Sequence, residues 1–132
     1  MAKGKVTLGI QYVDGKEVVI RDSCFHEVED FIENNLHNSA LLTTSALAER
    51  FNYSSSQFSR RFKAVAHKTV KEYVIEAKMQ KAKEFLKTVN LSISDIAYKL
   101  GYTNPFYFTN VFTKQFGISP SAYRRKFSEF SR

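Results

Sequence analysis

The apolar positions of this chain change period as the sequence proceeds. Val6, Leu8, Ile10 and Tyr12 alternate with Lys5, Thr7, Gly9 and Gln11, and Val18-Val19-Ile20 follows Asp14-Gly15. Alternation predicts half-buried strands and Asp-Gly is a two-residue turn signal, so residues 1–24 are expected to form a short N-terminal β-hairpin. Such a hairpin is marginal alone in water and needs a surface to pack on. From Phe25 the spacing becomes helical, with Phe25, Val28, Phe31, Ile32 and Leu36 on one face. Glu27, Glu29, Asp30 and Glu33 are expected early in this helix, where its dipole favours anions, and Asn38-Ser39 is expected to end it. The remainder reads as helices, with no convincing strand.

Sliding the chain along itself by 49–50 residues superimposes two segments. Leu47-Ala48 matches Ile96-Ala97, and Phe51-Asn52-Tyr53-Ser54 matches Leu100-Gly101-Tyr102-Thr103. After one extra residue in the second copy, Phe58-Ser59 matches Phe108-Thr109 and Phe62 matches Phe112. His67-Lys68-Thr69 then matches Gly117-Ile118-Ser119, and Tyr73 matches Tyr123. A match this long, with its gap at a turn, indicates a duplicated structural unit.

Each copy has the same grammar. A first helix starts at a cap, Thr43 in one copy and Ser92 in the other, the latter followed by Asp95 as in a capping box. Ala48 or Ala97 leaves room for a second helix to approach. Asn52 or Gly101 then supplies a residue that tolerates the left-handed conformation ending a helix. The second helix begins at Ser54-Ser55-Ser56 or at Asn104-Pro105, a good cap followed by Pro at the first helical position. It buries Phe58, Phe62 and Val65 in one copy, and Phe108, Val111, Phe112 and Phe116 in the other. Two helices joined by a tight turn in this way form a helix-turn-helix. Between the copies, Thr69 to Val89 reads as one helix with Val70, Tyr73, Val74, Ala77, Phe85, Leu86 and Val89 inward. At 1.5 Å per residue it spans roughly 30 Å, close to the ~34 Å turn of B-DNA.

Charge adds a partner to this picture. Residues 1–40 hold four Lys/Arg against seven Asp/Glu, a net of −3, whereas residues 41–132 hold sixteen against six, a net of +10. A basic segment of this kind suits a polyanion. No apolar run approaches the ~18 residues of a membrane helix, so no membrane partner is expected. Cys24 stands alone, which excludes an internal disulfide framework and fits a reducing, cytoplasmic setting. Cys24, His26 and His37 match no zinc spacing, and no motif calls for a metal or cofactor.

The run Ser92-Ile-Ser-Asp-Ile-Ala-Tyr-Lys-Leu-Gly-Tyr102, with Tyr107-Phe108, Phe112 and Gly117-Ile-Ser-Pro-Ser-Ala-Tyr-Arg124, resembles the signature of AraC-type transcription regulators. The resemblance covers about residues 25–128. It implies an all-α, seven-helix domain over 25–132, with two helix-turn-helix subdomains joined by a long helix, following the hairpin segment 1–24. It also implies that the third and sixth helices enter adjacent major grooves of double-stranded DNA, to regulate transcription. Most members carry a further domain, so the chain is expected to be either a small stand-alone member or a fragment.

Carried over by position, base reading in the first unit falls on Ser56, Ser59 and Arg60, with Ser55 and Gln57 flanking. An Arg60 guanidinium can bond guanine O6 and N7 together, for ~1–3 kcal/mol of discrimination. In the second unit the matching positions are Pro105, Phe106 and Asn110. An Arg is common where Asn110 stands. Asn pairs with adenine and Phe can touch a thymine methyl, so an A·T-leaning second half-site, or weaker specificity there, is expected. Phosphate contacts are expected from Ser55, Arg61, Lys63, Lys68, Thr103, Lys114, Arg124 and Arg125, and from the helix starts at Thr69 and Ser119. His67, where the second copy has Gly117, suggests a different turn there, since His at positive φ is uncommon.

Other readings stand beside these. Phe58, Phe62, Phe108, Phe112 and Tyr123 read as core, while Phe106 stands open between packing and facing DNA. Lys78, Lys81 and Lys83 are expected on a solvated face of the long helix. A repair enzyme with Cys24 as nucleophile has little support, because only His26 is near enough in sequence to lower its pKa. A protein-interaction module that binds RNA polymerase or another regulator is the principal alternative. The oligomeric state is open, because two units in one chain remove the need for a dimer without forbidding one.

Overall fold

Seven α-helices follow two short strands among the residues that the computed structural model describes, which are 10–13, 16–19 and 23–128. Strand β1 (Ile10–Val13) pairs antiparallel with β2 (Lys16–Val19), placing Ile10 opposite Val19 and Val13 opposite Lys16. The Asp14-Gly15 turn, the alternation at Val6 and Leu8, Ile20 and the Cys24 side chain lie outside the described residues.

Helix α1 (Ser23–Asn34) differs from expectation at both ends. It begins before Phe25, so its first turn contains no acidic residue and the carboxylates fall beyond the reach of the N-terminal dipole. It also stops short of Asn38-Ser39. The Asn35 side chain donates to Phe31 O at 2.7 Å and its N–H to Ile32 O at 3.1 Å, satisfying carbonyls that a continuing helix would have used. A 3₁₀ turn, Ser39–Leu42, leads on to α2 (Thr44–Arg50).

The chain divides into two compact units. The first comprises residues up to Asn35 together with Ala40–Val74, and so holds α1, α2, α3 (Ser55–Ala66) and the first turn of α4 (Val70–Thr88). Its core is built from Phe25, Val28, Ile32, Leu47, Ala48, Phe58, Phe62 and Val65, with Val70 and Val74 from α4. Phe62 is central, its ring 5.8 Å from those of Phe25 and Phe58 and edge-on to Tyr73 at 5.4 Å. Truncating a fully buried phenylalanine of this kind costs about 3–5 kcal/mol.

The second unit takes Leu36–Ser39 and everything from Ile75 onward, with α5 (Ile93–Lys99), α6 (Pro105–Phe116) and α7 (Pro120–Phe127). Its core contains Leu36, Met79, Ala82, Leu86, Ile96, Ala97, Leu100, Phe108, Phe112 and Tyr123. Phe112 occupies the place of Phe62, with Tyr123 edge-on at 5.7 Å in the place of Tyr73.

The duplication reaches the backbone. Positive φ occurs at Asn52 (66°) and His67 (66°) in the first unit and at Gly101 (86°) and Gly117 (73°) in the second. His67 caps α3 with the same left-handed geometry that Gly117 gives α6, so the turn expected to differ does not. The shared fold overrides the residue's own preference, which disfavours this conformation by roughly 1–2 kcal/mol.

Candidate nucleic-acid interface

Helix α3 begins where Ser54 accepts a hydrogen bond from the Gln57 N–H at 3.2 Å. Burial of Phe58, Phe62 and Val65 fixes its rotation about its own axis. That leaves Ser55, Ser56, Gln57, Ser59, Arg60 and Lys63 exposed. Ser56 and Arg60 stand one turn apart on this outward face. Arg60 makes no hydrogen bond or ion pair with another of the described residues.

Helix α6 is held at its start more firmly. Asn104 Oδ1 accepts from the N–H groups of Phe106 (2.9 Å) and Tyr107 (3.4 Å), and Pro105 occupies the first turn. Phe108 and Phe112 point inward and Phe106 outward, 80% exposed. Phe106 therefore does not pack into the core. Asn110 is exposed one turn further along, Lys114 one turn beyond it, and Thr103 lies exposed just ahead of the helix. Tyr107, not picked out as a site residue from the sequence, is also 52% exposed.

The basic and helix-start candidates separate into two groups. Lys63, Lys114 and Arg125 are exposed and Lys68 is half-buried. Ser119 caps α7 by accepting from the Ala122 N–H at 3.1 Å, with no acidic residue in that first turn. Thr69 differs. Its N–H donates to Glu72 Oε1 at 2.9 Å while the Glu72 N–H donates to Thr69 Oγ1 at 3.1 Å, a reciprocal capping box. The Thr69 N–H, and then its hydroxyl, hold the Glu72 carboxyl below its ordinary pKa, with Lys63 and Lys68 adding to the effect. An anion is therefore already present at the start of α4, and the expectation of a phosphate held by the Thr69 N–H is corrected.

Two arginines are corrected as well. Arg124 does not project outward: its guanidinium donates to Leu86 O (3.2 Å), to Val89 O (2.8 Å) and to Leu91 O. The end of α4 leaves carbonyls without helical partners, and a planar cation with several donors closes them. Arg61 is half-buried, with Nε and Nη1 shielded from solvent and without an acceptor among the described residues. By the repeat it stands where the second unit has Val111, so a guanidinium occupies an apolar position.

Lys78 is a third departure. It is 4% exposed, donates to Ser39 Oγ at 2.7 Å and lies 4.8 Å above the Tyr102 ring. Burial pushes its pKa down. Of its neighbours on α4, Lys81 is exposed and pairs with Glu84 at 3.5 Å, whereas Lys83 is half-buried over Phe116. No group of His, Cys, Asp and Glu suited to a metal ion occurs among the described residues. No helix there is long and apolar enough to cross a membrane.

Comparison with known families adds the decisive observation: the profile of a helix-turn-helix domain matches residues 47–126, across both units. The chain belongs to the AraC-type helix-turn-helix family. An HTH-type transcriptional regulator from the cgkA 5′ region of Pseudoalteromonas carrageenovora is 30% identical over 113 residues, covering 86% of this chain and 66% of the relative. The C-terminal domain of AraT, a response regulator from Geobacillus stearothermophilus, superimposes with a TM-score of 0.76 at 30% identity, over 84% of this chain and 93% of that one. The DNA-binding domain of AdpA, solved in complex with a target DNA, gives a TM-score of 0.72 at 28% identity, over 76% and 89%. Against eight curated relatives, the chain spans from 7% to 66% of their lengths.

Proposed function

We propose that this AraC-type chain binds double-stranded DNA sequence-specifically and regulates transcription, its two units addressing successive major grooves. The observation that carries this reading is the repeated outward face. Helices α3 and α6 each start at a side-chain cap, bury a phenylalanine row, and turn polar or cationic side chains to solvent. Ser56, Ser59 and Arg60 read bases in the first half-site. Pro105, Phe106 and Asn110 read the second, where A·T pairs suit them better than G·C. Ser55, Lys63, Lys68, Thr103, Lys114 and Arg125, with the α7 start at Ser119, hold phosphates and set register without reading sequence.

A cytoplasmic setting and contact with RNA polymerase accord with a transcription regulator. Selection of bound fragments from random DNA tests the reading. It is expected to return a bipartite site with centres about 34 Å apart, bound less tightly as salt rises, as counterion release requires. Recovery of no common sequence, or an affinity independent of salt, would overturn it.

A further inference from the structure

The second unit contains a buried cation that the reading faces do not use. Lys78 lies in the row Val70, Val74, Ala82 and Leu86, spaced by four along α4, and is as buried as its apolar neighbours. Its ammonium donates to Ser39 Oγ and lies over the Tyr102 ring. Replacing a buried charge by an apolar side chain of similar volume is often neutral or stabilising, so global stability is a poor explanation for a lysine here.

What surrounds it is the turn between α5 and α6. Ser39 Oγ, while accepting from Lys78, donates to Gly101 O at 3.3 Å. Gly101 has a φ of 86°, and a Cβ there would meet Ser39 Oγ at 2.7 Å, Leu36 O at 3.1 Å and His37 O at 3.2 Å. The strap Leu36–Ser39 is thus laid directly on the turn. The next residue is Tyr102, whose ring lies 5.6 Å from Phe108 and 5.9 Å from Tyr107, both on α6. Burial, with the Tyr107 phenol nearby, pushes the Tyr102 hydroxyl up to about 12, keeping it neutral.

We infer that Lys78 is a positioning residue for DNA readout by the second unit. Through Ser39 and Gly101 on one side and Tyr102 on the other, it fixes the turn from which α6 presents Phe106 and Asn110. The first unit has Asn52 at the corresponding turn, with Arg50 of α2 over the Phe31 ring of α1. The inference rests on the DNA-binding reading and adds a residue that touches no DNA.

Lys78→Met keeps the length and burial of the side chain and removes its charge. Ser39→Ala, at an exposed position, breaks the same relay with little risk to folding. Amide exchange at Gly101 and Tyr102, and the urea midpoint, read the clamp without DNA. A duplex selected by the wild type, intact and with each half scrambled in turn, reads its consequence. Both variants are expected to exchange about tenfold faster at this turn with the urea midpoint unchanged. Both are expected to bind about tenfold more weakly through the second half-site alone, a change the size of one good side-chain–base interaction. Unaltered exchange overturns the clamp whatever the DNA result. Equal losses at both half-sites, or losses that track a lowered urea midpoint, reduce Lys78 to general packing. Failure of the wild type to bind any duplex removes the DNA-binding reading itself, an outcome distinct from binding that is intact and indifferent to Lys78.

Discussion

Arg124 distinguishes a structural cation from a DNA-binding one most sharply, because the two roles move different observables. Its guanidinium donates to three carbonyls at and beyond the end of α4, those of Leu86, Val89 and Leu91. A hydrogen bond to a charged group contributes about 1.5–3 kcal/mol. The site is half-buried, so water replaces part of what is removed, and the three bonds do not add independently. Arg124→Met, which keeps the apolar stem, is therefore expected to cost about 2–3 kcal/mol and lower Tm by roughly 10 °C. Duplex affinity, measured well below that Tm over a range of salt, is expected to keep its magnitude and slope. Removal of a phosphate-binding cation would instead flatten the slope of log K against log salt by about 0.9. A variant with unchanged Tm and a flattened slope would refute the structural assignment.

Three further outcomes follow from single side chains. Arg61→Leu removes two shielded donors that have no acceptor among the described residues, and should raise stability by about 1–2 kcal/mol in a thermal melt; a lower Tm would contradict it. His67→Gly relieves a left-handed residue at roughly 1–2 kcal/mol, offset in part by the ~0.5–1 kcal/mol of added chain entropy, so Tm should rise by a few degrees rather than fall. Glu72 has a depressed pKa, so its capping contribution is present above its ordinary value of 4.5 and is lost as pH falls through the lower folded value. Urea midpoints of the wild type and Glu72→Gln should differ at neutral pH and converge in acid, and a difference independent of pH would contradict the sign.

Much of the fold was legible because it is carried by periodicity and caps. Thr43, Ser92 and Asn104-Pro105 mark helix starts, and the spacing of Phe58, Phe62, Phe108 and Phe112 marks the inward faces. Those faces fix which side chains look outward, so the base-reading candidates could be named before any coordinates. The phosphate candidates were less legible, since a positive charge in sequence says nothing of what it bonds. Arg124 binds backbone carbonyls, which every residue possesses and no motif announces. Arg61 could have been doubted from its repeat partner Val111, and Lys78 from its place in a four-residue row of apolar positions. The Thr69-Glu72 capping box is visible as a spacing of three, the same spacing that marks a helix start able to receive a phosphate. The α1 boundary was missed because an Asn side chain can end a helix without Gly or Pro.

The central claim is that α3 and α6 read DNA unequally, with Arg60 as the guanine reader. Guanine-N7 methylation interference on the selected duplex, with wild type and Arg60→Ala, tests it most directly. Interference is expected at a guanine of the first half-site, to vanish in the variant with a loss of about 1–3 kcal/mol in affinity, and to be absent from the second half-site. Interference at guanines of both half-sites, or a pattern unaffected by Arg60→Ala, would contradict it.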